Sequence, residues 1–369
     1  MADDGLRFDG RVGLQQRVLP AYRIAFVERL ASSCGGGLQV FAGESSPGEA
    51  ILAGRRPRNA EWIPAHNRYL LSERTRLLRQ AGLVPWLAEW GPDVVILEAN
   101  PRNLSNWRAA SWARQVGIGV IGWGLGAPGT ASRIRRVVWR RYLRRFDALI
   151  AYSTRGADQL RLAAEAGTLI RVAVNAVVDP PVEMVQRDPP GDRPAHVLFV
   201  GRLQARKGVD RLLRACAGVD QPLKLRVVGD GPARSSLQAL AAETLPSASF
   251  TGSLEGEALE HAFAWADLFV LPGTGGLAVQ QAMAHGLPVI VAEGDGTQRD
   301  LVRDENGWLV RSGDLASLKD TLDRALSDPA GLMDKGRASY RIAEHEANVG
   351  QMVKTFVDVM RTVAGGGGR

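Results

Sequence analysis

Three glycines, Gly273, Gly275 and Gly276, stand between the apolar run Leu268–Leu271 and a helix-forming stretch, Leu277–Ala284. Gly286 and Pro288 close that stretch, and Val289–Ala292, apolar and partly β-branched, reads as the following strand. A glycine-rich turn that feeds a helix presents unpaired backbone N–H groups at the positive end of a helix dipole. The missing Cβ atoms let an anion come close. That chemistry suits a phosphate. The alternative is a tight turn with no ligand, and these residues alone leave both open.

A second group lies in PDVVILEANPRN. Val94–Leu97 reads as a buried strand, and Glu98, Asn100 and Arg102 fall at its carboxyl end, where open α/β sheets bind ligands. A carboxylate there can orient or deprotonate an acceptor hydroxyl. Alternatively, Glu98 and Arg102 pair with each other or cap the next helix. A third group, Gly124, Gly126 and Gly129 after the strand Val120–Trp123, fits the spacing G-x-G-x-x-G. It raises an NAD(P)-dependent oxidoreductase as an alternative. Against it, Pro128 sits where the helix should open, the motif lies in mid-domain, and no acidic residue follows at the expected distance.

The chain around these groups has 369 residues, 45% hydrophobic and 23% charged, enough for two globular domains. Cys34 and Cys216 make no disulfide framework and suit a reducing compartment, and the five histidines are scattered without metal-ligand spacing, so no metal is expected. The polar start MADDGLRFDG is unlike a secretory signal, and no apolar run reaches the length of a membrane span. A cytoplasmic protein is expected. The net charge of +7 favours an acidic partner: nucleotide phosphates, an anionic membrane surface or, last because no motif for it is present, nucleic acid.

Taken in order, Arg11–Pro20 reads as strand and loop, Ala21–Ser32 as a helix and Leu38–Ala42 as a strand. Arg55–Arg68 reads as a solvated loop, the alternative being a mobile loop facing the cleft, and Tyr69–Trp90 reads as helical with a break at Gly82–Pro85. Ser132–Asp147 is a basic amphipathic helix. Its stripe of Ile134, Val137, Val138, Tyr142 and Phe146 is expected to be core, with the arginines solvated. The alternative is a helix lying on an anionic membrane, peripheral on its inner face, through Arg133, Arg136, Arg140 and Arg144. The five prolines between Pro180 and Pro194 mark a domain boundary. The expected division is 1–180, a linker at 181–194, a second domain at 195–344 and a returning helix with a flexible tail at 345–369.

VLFVGRLQARKGVDRLLRA, LKLRVVGDGPARSSLQAL and FTGSLEGEALEHAFAWADLFVLP follow one another and run into the glycine turn. From Val197 to Val310 this order resembles the nucleotide-sugar half of family-4 glycosyltransferases; the first half is similar more loosely. The resemblance implies an α/β GT-B architecture: two Rossmann-like, doubly wound domains facing across a cleft. It implies transfer of a sugar, with retention and without a metal or cofactor, from a UDP- or GDP-type donor to a glycan, lipid-linked or small-molecule acceptor. Arg202 and Lys207 would clamp the donor diphosphate, and two such cations at a strand end suit a departing phosphate. Donor contacts would fall at Gly201, Gly229, Gly231, Thr251, Ser253 and Leu254, at Gly273, Thr274, Gly275, Gly276, Leu277 and Ala278, and at Gln281. Glu98 would be catalytic, with Asn100, Arg102, Trp123 and Gly124 on the acceptor side.

The departures from the pattern are specific. Many relatives carry two glutamates eight positions apart, which fall here on Gly273 and Gln281. Gln281 keeps an acceptor oxygen for the ribose, whereas Gly273 has no side chain to offer the sugar. A W-G-H-G turn of relatives reads here with Leu125 in the histidine position. A non-catalytic nucleotide-sugar-binding homologue is therefore a further alternative.

Overall fold

The computed structural model describes residues 6–44, 54–70, 77–127, 132–191 and 193–365. It divides into two units: Met1–Val177 together with Val349–Arg369, and Val178–Asn348.

The first unit runs β1 (Val12–Val18), α1 (Ile24–Ser32), β2 (Leu38–Gly43), β3 (Glu61–Ala65), β4 (Asn67–Leu70), β5 (Leu77–Gln80), α2 (Leu83–Trp90), β6 (Val94–Glu98), α3 (Leu104–Gln115), β7 (Gly119–Gly124), α4 (Arg133–Leu143), β8 (Ala148–Ala151), α5 (Thr154–Ala163) and β9 (Leu169–Val172). Seven of these strands form a parallel sheet in the order β3-β2-β1-β6-β7-β8-β9. Successive residues of β6 serve opposite faces, as strand geometry requires. Val94 and Ile96 pack with α1 side chains such as Phe26 and Leu30; Val95 and Leu97 pack with Trp86 and Leu87 of α2 and the alanines of α3.

Two expectations fail here. Arg55–Arg68 is not simply a solvated loop, because β3 pairs in parallel with β2 and the Trp62 indole N–H donates to the Ala42 carbonyl (3.0 Å). Pro64 hid this strand from the sequence, yet proline is tolerated on an edge strand. Tyr69–Trp90 is not one broken helix either: β4 and β5 make an antiparallel ribbon before α2. Gln80, 2% exposed, anchors it through side-chain bonds with Gln15 (2.6 Å) and Asn67 (2.9 Å).

The second unit runs β10 (Ala195–Val200), α6 (Val209–Ala217), β11 (Leu223–Val228), α7 (Arg234–Thr244), β12 (Ser249–Gly252), α8 (Gly256–Trp265), β13 (Leu268–Leu271), α9 (Leu277–Ala284), β14 (Val289–Ala292), α10 (Thr297–Leu301), β15 (Gly307–Val310), α11 (Leu315–Leu326) and α12 (Pro329–His345). Its six parallel strands follow the order β12-β11-β10-β13-β14-β15, the doubly wound order with a switch point between β10 and β13. The sequence reading had no helix at α12; Asp328 caps it through the Gly331 N–H (2.9 Å), with Pro329 in its first turn. The last helix, α13 (Val349–Gly365), belongs to the first unit, where Phe356 packs on Phe26 and Trp123. Cys34 and Cys216 are buried free thiols, both pushed up to about 12 by burial.

The segment expected as a linker is tied to the second unit by two arginines. The Arg187 guanidinium donates to the carbonyls of Ala266 (2.9 Å), Phe263 (3.1 Å) and His285, and burial pushes it down to about 10. Arg193 holds Asp267 through two bonds of 2.6 and 2.7 Å, and Asp267 also accepts the His196 N–H (2.8 Å). Asp267 is 6% exposed, so Asp267→Ala leaves these donors without their acceptor. The expected loss is about 2–3 kcal/mol, measured by urea denaturation.

Candidate functional site

The loops at the carboxyl ends of β10 and β13 flank the switch point of the second sheet, and most of the expected donor residues lie on them. After β10 the chain turns at Gly201 and passes Arg202, which is exposed, into a short 3-10 turn, Ala205–Lys207. Lys207 folds back toward the β13 loop: a Cβ built on Gly201 would lie 3.8 Å from its Cε, and one on Gly275 only 2.5 Å from its Nζ. One lysine side chain is thus brought against both glycine turns, its ammonium against Gly275. Burial, with Arg206 beside it, pushes Lys207 down to about 8.

Arg206, which sequence reading passed over, ties the two loops together. Its carbonyl accepts the Thr274 N–H (3.1 Å), and its guanidinium donates to the Thr274 hydroxyl (2.9 Å) and to Gln204 (3.0 Å). Gln298, 2% exposed, adds a third tie by donating to the Gly275 carbonyl (3.0 Å). The N-terminus of α9 at Gly276 has no side-chain cap, so the Leu277 and Ala278 end of the helix is open to an anion.

Gly273 is buried among backbone. A Cβ there would lie 2.3 Å from the Arg206 carbonyl oxygen and 2.5 Å from the Lys207 carbonyl group. No side chain fits this position without moving the Arg206–Lys207 loop. The neighbouring turns are equally close. A Cβ on Gly229, at φ +136, would lie 2.0 Å from the Gly201 carbonyl, and one on Gly231 would lie 2.4 Å from that of Leu203. Thr251 and Ser253 are exposed and Leu254 half-buried at the end of β12, two strands away from Lys207. Gln281 is half-buried on α9, its carbonyl accepting the His285 N–H (3.1 Å).

In the first unit, Glu98, Asn100 and Arg102 do converge. With Arg17, Tyr69, Leu78 and Asn103 they line a cavity of about 130 Å³. The Glu98 carboxylate accepts the Arg17 N–H (2.8 Å), and the Arg17 guanidinium donates to the Tyr69 hydroxyl (2.9 Å). Burial pushes the Glu98 carboxyl up, opposed by the Arg17 N–H and by the charges of Arg17 and Arg23. A network beneath fixes the strand end: Gln15 accepts the Glu98 N–H (3.0 Å), while Asn106 (3.1 Å) and the Tyr142 hydroxyl (2.9 Å) donate to the Glu98 carbonyl. The Asn103 side-chain oxygen is buried without a partner. Arg17 and Tyr69 were missed because they lie on other elements, 52 residues apart.

Two expectations on this side are corrected. Trp123 is 1% exposed and packs between Phe26, Tyr152 and Phe356, so it is core and not a surface for an acceptor; β7 alternates, and position 123 points to the α1–α13 face. Gly124 is buried as well, against Ala99. Of the G-x-G-x-x-G motif, Gly129 lies outside the described residues, as does Pro128; Gly126, at φ +121, packs on Gly156 of α5.

The apolar stripe of α4 is also divided against expectation. Tyr142, Leu143 and the following Phe146 are buried, but Ile134 (77% exposed), Val137 (61%) and Val138 (40%) face outward among Arg133, Arg136 and Arg140. Spacing alone cannot say which part of an amphipathic stripe meets the core. Among the described residues no helix is long and apolar enough to cross a membrane.

Residues 183–343, less than half of the chain, match the family described as glycosyl transferases group 1. GDP-mannose-dependent alpha-mannosyltransferases are similar in part. The one from Mycolicibacterium smegmatis is 48% identical over 31% of this chain and 29% of its own length. That from Corynebacterium glutamicum is 40% identical over 47% of this chain and 42% of its own. The matches therefore span less than half of these relatives. Across 95% of the chain the fold resembles sucrose-phosphate synthase from Thermosynechococcus elongatus (TM-score 0.70, 20% identity, 98% of that chain). The lipopolysaccharide outer core galactosyltransferase WaaB is similar over the same share (TM-score 0.74, 17% identity, 99% of that chain). These likenesses show the fold, two Rossmann-like α/β units of the GT-B kind.

Proposed function

We propose, with the match to glycosyl transferases group 1 as premise, that this chain moves a sugar from a nucleoside diphosphate sugar to an acceptor hydroxyl. The observation that carries this is Lys207, whose side chain lies against both glycine turns at the switch point of the second sheet, with its ammonium at Gly275. It would neutralise the departing diphosphate together with Arg202 and the open N-terminus of α9. Gln281 would hold the ribose. In the first unit, Glu98 and Arg102 would orient the acceptor, a glycan, a lipid-linked sugar or a small molecule. Glu98 would take the acceptor's proton, its carboxyl pushed up by burial. Retention without a metal is part of the proposal, as is a cytoplasmic protein that touches an anionic membrane peripherally, on its inner face, through Arg133, Arg136, Arg140 and Arg144. The similar mannosyltransferases make GDP-mannose the first donor to try.

A thermal-shift screen with GDP, UDP, dTDP, ADP and NAD(P) tests this, because a ligand of the native state raises Tm. One nucleoside diphosphate is expected to shift Tm, and Arg202→Ala with Lys207→Ala to abolish the shift. A shift with NAD(P) alone, kept in the double variant, sinks the proposal. Gly273, with no side chain for the sugar, favours a second reading, a binding homologue without turnover. Hydrolysis of the matching nucleotide sugar separates the two.

A further inference from the structure

We infer that the outward face of α4, with Leu162 of α5, is a docking surface for an anionic lipid bilayer. This deepens the membrane contact proposed above by naming the face that enters the lipid, and it stands apart from the transfer chemistry.

Ile134, Val137 and Val138 fall at i, i+3 and i+4, on one side of the helix, and all three are exposed, whereas Tyr142, one turn beyond Val138 on the same stripe, is buried. Leu162 on the adjoining α5 is 81% exposed. Scattered apolar side chains on a surface are ordinary, but a group of four around two packed helices is a patch that calls for a partner. Between α4 and α5 a groove of about 620 Å³ has Val137, Trp139, Leu162 and Ala163 in its lining and Arg133 and Arg140 beside them.

Charge selects the partner. Arg133, Arg135, Arg136, Arg140, Arg141 and Arg144 all lie on this short stretch, and among the described residues the ion pair that any of them makes is that of Arg144 with Glu165 (2.9 Å). A second copy of this face would set arginines against arginines. A nucleic-acid backbone would meet the guanidiniums but leave the four apolar side chains in water. A bilayer with acidic lipids answers both: aliphatic groups enter the acyl boundary and arginines reach the lipid phosphates.

Co-sedimentation of the full chain tests this, with vesicles of phosphatidylcholine alone and with about one-third phosphatidylglycerol. Binding is expected to the acidic vesicles only, and to weaken as salt rises. A variant with Arg133→Gln, Arg136→Gln and Arg140→Gln is expected to bind on the order of 100-fold more weakly. One with Ile134→Ser, Val137→Ser and Leu162→Ser is expected to lose about 10-fold or more. Both variants should keep the wild-type Tm and its nucleotide-induced shift, which separates failure to dock from failure to fold and from failure of the transferase reading. No binding of wild type to acidic vesicles overturns the inference. So does wild-type binding by the apolar variant, or a wild-type dimer that this variant dissolves, since the occupant would then be a second copy.

Discussion

Lys207→Ala is expected to lower kcat/KM for the donor by about 100- to 1000-fold, the loss seen when one preorganised partner of a developing charge is removed. Its Tm should hold or rise, because the variant no longer buries an ammonium. That pairing of effects distinguishes a site residue from a structural one. The pH profile carries a second signature. Burial and Arg206 set Lys207 at about 8 in the free protein, below the ordinary lysine value of 10.5. Below pH 8 the side chain is charged and attracts a diphosphate; as pH rises through about 8 that charge is lost and affinity falls. A bound diphosphate favours the charged form and raises the pKa again, so the descending limb of kcat/KM lies at lower pH than that of kcat. Lys207→Arg should remove the limb near pH 8. Initial rates across pH, with product nucleotide as readout, decide this, and a profile flat to pH 9 in the wild type would sink the assignment.

Placing glutamate at 273, the residue the family resemblance puts there, is expected to reduce activity by about 10-fold or more. The reason is room. The Cβ alone would lie 2.3 Å from the Arg206 carbonyl oxygen, and relief requires moving the loop that carries Lys207. Overpacking of this kind typically costs about 1–3 kcal/mol, so Tm should fall in Gly273→Ala as much as in Gly273→Glu. Calorimetry of nucleotide binding to the two variants is the check. A Gly273→Glu variant that gains turnover at an unchanged Tm would mean that the Arg206–Lys207 loop leaves room for a side chain at 273.

The strands and helix around the glycine turn were legible because each signal was local. Leu268–Leu271, Leu277–Ala284 and Val289–Ala292 are a short apolar run, a stretch free of glycine and proline, and a β-branched run, and they are β13, α9 and β14. Elements whose reasons lie far away in sequence were not legible. The strand β3 depends on pairing with β2, and the β4–β5 ribbon on Gln80 bonding Gln15, 65 residues away. The site divides in the same way. Arg202 and Lys207 stand in a recognisable string, whereas Arg206 matters only because Thr274 arrives beside it, and Gln298 because Gly275 does. Trp123 shows the converse. The family resemblance put it on the acceptor side, and the alternation along β7 sends it into the core.

The ties among Arg206, Thr274, Gly275 and Gln298 join the loops after β10, β13 and β14 before any ligand arrives. Loop ordering is therefore charged to the folding of the domain and is not subtracted again from the free energy of association. On the proposed function, much of the intrinsic interaction with a diphosphate would then survive as affinity, with Lys207 held in place beforehand. The same rigidity narrows what evolution can change here: an altered residue on any one of the three loops is answered by the other two.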